Sequence, residues 1–237
     1  VVLAGGIKEN DSWALVEEYF SKMKQFNTKK PLKVKDGQKK PAVFVKTKAT
    51  EQAHLILGVR TVPLGSNERY ALSVLSSILG GGMSSRLFSE VREKRGLAYY
   101  TKANSDQYTD AGSLVVSAGV DPKRIEEAVE VILAELSDLR DGRKKISPEE
   151  LRKAKEYLKG HLVLELEDSR SVSIFYAAQN ILEKEIKNPD ELLEEIDKVT
   201  EEKVIKVAKK YLIKETLNLA VIGNFKDKAK FEKLLEL

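Results

Sequence analysis

The 237 residues include no cysteine. That absence excludes disulfides, zinc fingers, iron–sulfur clusters and thiol catalysis together. No stretch reaches the roughly 18 apolar residues that a membrane span requires, and no signal peptide is visible. Neither sign of charge dominates, with 41 Lys and Arg against 37 Asp and Glu, a net of +4. The charges are interleaved as on solvated helix faces, so nucleic acid is not an expected partner and neither is a membrane. What remains is a soluble globular composition with a heavily charged surface, 42% hydrophobic and 33% charged. The chain is long enough to bury a substantial core. The expected location is the cytoplasm. The opening Val1-Val2-Leu3-Ala4 lacks Met and reads as a strand, so the chain is expected to be a fragment.

Hydrophobic periodicity then assigns the elements. Val1–Ala4 is predicted as a buried strand closed by Gly5-Gly6. A helix is predicted over about Asp11–Phe26, with Trp13, Val16, Phe20 and Met23 on one stripe. Residues Asn27–Pro41 carry no apolar period and read as an exposed linker. Strands are predicted at about Ala42–Lys46 and Ala53–Val59, and a helix at about Asn67–Leu79. A short helix over Ser85–Arg95 is stopped by Gly96. Leu97–Gln107 and Gly112–Val120 form a hairpin pair turning near Thr109-Asp110. Ser147-Pro148-Glu149-Glu150 and Asn188-Pro189-Asp190-Glu191 are each predicted as a capping box with Pro at the first helical position. Helices also follow Asp121, and cover Ser169–Leu182 and Thr200–Leu212. Leu217–Ile222 is the last strand, and a terminal helix follows it. The pattern is α+β, an antiparallel or mixed sheet with helices on one face. Leu3–Glu9 and Val221–Asp227 share a strand–Gly turn–hydrophobe–charge pattern, read either as a chance recurrence of a common strand–turn–helix or as the tail of one unit followed by a full second copy.

Few residues offer chemistry. His54 and His161 belong to neither H-E-x-x-H nor H-x-x-E-H. His161 and Glu165 share a helix face, yet a zinc site needs three protein ligands. His54 reads as a satisfied, partly buried strand residue. Gly80-Gly81-Gly82 has no Lys-Ser/Thr after it and ends a helix, which argues against a phosphate loop. These glycines permit unusual backbone angles and close backbone approach. In Gly80–Tyr100, Leu87, Phe88 and Val91 are expected to face inward and Arg86, Glu90 and Arg92 the flank. Leu97 and Tyr99 should share one strand face, Ala98 and Tyr100 the other. Arg92 and Tyr99 could converge, or be an ordinary ion-pairing arginine and a core tyrosine.

At Leu79–Tyr99 the sequence resembles the pitrilysin family of zinc peptidases, also called inverzincins, which includes the mitochondrial processing peptidase and bacterial processing proteases. The segments Glu51–Gly58 and Leu219–Phe225 match as well. The resemblance implies two homologous α+β halves closing like a clamshell, with zinc held by the first. This chain would be the second half, binding no metal and supplying Arg92 and Tyr99 as catalytic residues that stabilise an oxyanion. Gly80, Gly81 and Gly82 are expected to face the peptide substrate or to lie beside a hinge. Residues 1–26 would end the zinc-binding half, 27–41 would link, and 42–237 would form the second domain. The implied partners are the zinc-binding half and a peptide. A non-catalytic scaffold subunit, as in respiratory-complex core proteins, is the alternative.

Overall fold

The computed structural model describes residues 1–24, 26, 29 and 31–235. Gln25, Asn27, Thr28 and Lys30 lie outside the described residues, and with them the predicted junction of helix and linker; Glu236 and Leu237 do too.

Five strands form one mixed sheet: β1 Ala42–Thr47, β2 Ala53–Thr61, β3 Ala98–Gln107, β4 Gly112–Val120 and β5 Asn218–Gly223. Their spatial order is β1-β5-β2-β4-β3, with only β1 and β5 parallel. Period-2 alternation sets which face is buried. On β2, Ala53, Leu55, Leu57 and Val59 are buried, as are Leu114, Val116, Ala118 and Val120 on β4. The opposite face stays open, with His54, Ile56, Phe44 and Tyr100 exposed on it.

Helices cover the buried face. They are α2 Glu68–Gly80, α3 Ile125–Arg140, α4 Pro148–Glu165, α5 Ser169–Leu182, α6 Pro189–Asp197, α7 Glu201–Tyr211 and α8 Ala229–Leu234. Leu72, Leu75 and Leu79 place one fully buried stripe of α2 against β3 and β4. The starts follow the sequence signals. Asn188 with Glu191 forms the expected reciprocal box, whereas at Ser147 only half of it forms: Ser147 accepts from Glu150 N, but the Glu150 carboxylate is taken by Arg86. This is the expected α+β architecture.

Residues 1–4 differ from expectation, since they form no strand. A strand exists only with a paired neighbour, and no strand of this sheet pairs with them. Their likeness to Val221–Asp227 therefore does not extend to secondary structure. The first helix, α1, spans Glu9–Phe20 and buries none of its residues. Most of its predicted stripe is exposed, Trp13 by 66% and Met23 by 69%, and only Val16 is half-buried.

Candidate active site

The site begins where α2 meets β3. A Cβ placed on Gly80 would lie 2.2 Å from Ala103 N. Only glycine lets the helix end approach the strand backbone so closely. None of Gly80, Gly81 or Gly82 takes a positive φ, so close packing, not unusual backbone angle, is what these glycines supply. Gly82 lies under the Tyr157 ring, and Ser77 Oγ donates to Ala154 O at 3.1 Å, tying α2 to α4. Gly80→Ala should lower stability by about 1–3 kcal/mol, the usual penalty of overpacking. The thermal midpoint measures it.

The next segment is wound more widely than the expected α-helix. Phe88–Glu93 is a π-helix, with Lys94 N donating to Ser89 O at 2.9 Å. Such windings are rare and frequent at functional sites. Gly96 ends it at φ +58°, where Gly96 N donates to Arg92 O and Leu97 N to Val91 O. Leu87 and Val91 are fully buried beneath it. Phe88 is half-buried, and the Arg92 guanidinium lies 4.9 Å from its ring centroid. Arg92 is exposed, and among the described residues no carboxylate lies within ion-pair distance of it. A guanidinium stacked but unpaired keeps its N–H donors available.

Ion pairs fix this segment from both ends. Arg86 grips Glu150 through two hydrogen bonds of 2.7 and 2.9 Å and also donates to the carbonyls of Lys144 and Lys145. Glu90 accepts from Lys94 and Arg95, which together hold its carboxyl down to about 2. A carboxylate depressed on folding contributes stability above its unfolded pKa and loses that contribution as pH falls through its folded value. The window for Glu90 runs from 4.5 down to about 2. Across it the thermal midpoint should fall more steeply in the parent chain than in Glu90→Gln.

Beyond Gly96 the expected alternation fails. Leu97 and Ala98 are both buried, while Tyr99 is 63% exposed and does not share Leu97's face. The cause is a register shift: Ala98 pairs with Val120 and Tyr100 with Gly119, leaving Tyr99 as an extra, unpaired residue. Bulges of this kind turn a side chain out of the ladder and often lie beside active sites. Tyr100 then sits on the open face, its hydroxyl 3.1 Å from His54 Nδ1. His54 is thus exposed, contrary to the partly buried position its strand suggested, because it falls on the face without helices. Sequence reasoning missed Tyr100 and Gly119 as site neighbours, since a bulge leaves no periodic signal.

A cleft of about 510 Å³ runs along β3, walled by Gly80, Gly81, Gly82, Phe88, Arg92 and Tyr100 among others. Four of the five residues singled out from the sequence therefore share one cavity. Tyr99 is not in its wall. The described residues hold no group of three His, Cys, Asp or Glu side chains arranged for a metal. His161 instead makes a local contact, Nδ1 to Tyr157 O at 2.9 Å.

Comparison with known proteins decides the family. The family described as "Peptidase M16 inactive domain" matches residues 1–158. This chain belongs to the M16 peptidase family. A protein named an uncharacterized zinc protease, from Mycobacterium leprae, is 35% identical over the whole chain, which covers 53% of that relative. The mitochondrial-processing peptidase subunit alpha of Caenorhabditis elegans is 28% identical over 68% of this M16 chain and 33% of its own. The crystal structure of a protease from Helicobacter pylori superposes with a TM-score of 0.81 at 22% identity, over 92% of this chain and 54% of that one. This M16 chain thus spans about half the length of such relatives. Among its described residues no helix is long and apolar enough to cross a membrane.

Proposed function

We propose that this chain is the non-metal half of an M16 zinc endopeptidase and supplies Arg92 and Tyr99 to peptide hydrolysis. The observation that carries this reading is the exposure of both side chains on elements joined by the Gly96 turn, one ending a π-helix and one on a β-bulge. When water adds to a peptide carbonyl, negative charge develops on the carbonyl oxygen. A phenol O–H and a guanidinium N–H are suitable donors to that oxygen, because both hold their protons at neutral pH. The cleft lined by Gly80, Gly81 and Gly82 would take the peptide. Zinc belongs to the other half in this reading, and no residue of this chain ligates it.

The unburied α1 supports a division in which residues 1–26 end the zinc-binding half, 27–41 link and 42–237 form the second domain. Exposed Trp13, Tyr19 and Met23 would then be covered by that half. The test combines this chain with a zinc-binding half and follows cleavage of an unfolded peptide. Cleavage by the combination alone, abolished by a chelator, is expected. Cleavage by this chain in isolation would contradict the reading. The match to a family described as an inactive domain fits a second reading equally, a scaffold subunit. A stable complex without cleavage would favour it.

A further inference from the structure

The contact between Tyr100 and His54 has no part in the chemistry above, yet it crosses three strands. Tyr100 on β3 pairs with Gly119 on β4, and Gly119 pairs with His54 on β2. The Tyr100 ring lies over Gly119, where an added Cβ would sit 2.5 Å from Cε1 and 2.9 Å from Cδ1. Absence of a side chain at Gly119 is thus what lets the ring lie across the sheet. At its far end the phenol meets His54 Nδ1 at 3.1 Å, with ring centroids 6.1 Å apart. The phenol O–H donates when that nitrogen carries no proton.

The residue tied down in this way directly follows the bulge. A bulge adds one residue to a strand, and its neighbours must hold register for the extra side chain to keep a direction. Ala98 is held on one side by burial against the core. Tyr100 is held on the other by Gly119 and His54. We propose that His54 and Tyr100 are positioning residues, which lock the β-bulge and so aim the Tyr99 phenol. This rests on the oxyanion role given to Tyr99.

The experiment uses the enzyme assembled from this chain and a zinc-binding half, with His54→Ala, Tyr100→Phe, the double variant, His54→Gln and Tyr99→Phe. Amide hydrogen exchange over residues 98–101 and steady-state kinetics are measured on each. His54→Ala should speed exchange in that segment and lower kcat by about 10- to 100-fold at unchanged KM, the scale of a slightly misplaced group. The double variant should lose no more than either single one. His54→Gln, whose amide oxygen can accept from the phenol, should recover most of the loss. Unchanged exchange, or a loss confined to KM, would overturn the positioning role. Full turnover in Tyr99→Phe would instead sink the oxyanion role, while the exchange data still decide whether His54 holds the bulge.

Discussion

Tyr99→Phe, in the two-half peptidase proposed above, should lower kcat by about 10²–10³-fold, the range seen when one oxyanion donor is removed. The substitution deletes one oxygen and leaves the ring. Tyr99 is 63% exposed and unpaired in the ladder, so its hydroxyl is not needed for folding. Stability and KM should therefore change little. A hydroxyl that serves only the transition state shows its loss in kcat and kcat/KM equally. About 2.7–4 kcal/mol of transition-state stabilisation is at stake. Wild-type turnover in this variant would remove Tyr99 from the mechanism.

Arg92→Ala should reduce kcat/KM by a similar factor, about 10²–10³-fold, since it removes a charged donor from the same region. Here part of the loss should appear in KM as well, because Arg92 lines the cleft that would receive the peptide. The side chain stacks on Phe88 and makes no ion pair among the described residues. Its removal should therefore cost stability only the stacking, about 0.5–1 kcal/mol at an exposed site. Arg92→Lys should restore charge without the planar fork and recover activity only in part. An unchanged kcat/KM in Arg92→Ala would show that the guanidinium never meets the reacting carbonyl.

Most of the architecture was legible because local chemistry and burial agree. Asn188-Pro189 and Ser147-Pro148 both announce helix starts, the first through a complete capping box and the second through the Ser147 cap alone. The alternation in Ala53–Val59 and Gly112–Val120 gives both strands and their buried faces. At the candidate site the motif residues were visible, while their geometry was not. A π-helix closes each hydrogen bond one residue later than an α-helix, and the pattern of Leu87, Phe88 and Val91 fits either. The bulge at Tyr99 depends on pairing with β4, a distant segment, so no local period encodes it. Gly80 advertised a backbone need, but only the packed α2–β3 contact says that the need is space. Residues 1–4 have strand-forming side chains, yet propensity alone cannot make a strand without an edge to pair with.

A crystal structure of the proposed two-half assembly holding an uncleaved peptide would test the central idea most directly. Tyr99 Oη and an Arg92 guanidinium nitrogen should both lie about 2.7–3.1 Å from where the scissile carbonyl oxygen becomes an oxyanion. Either side chain turned away from that oxygen, toward bulk solvent or the rear of the cleft, would contradict it.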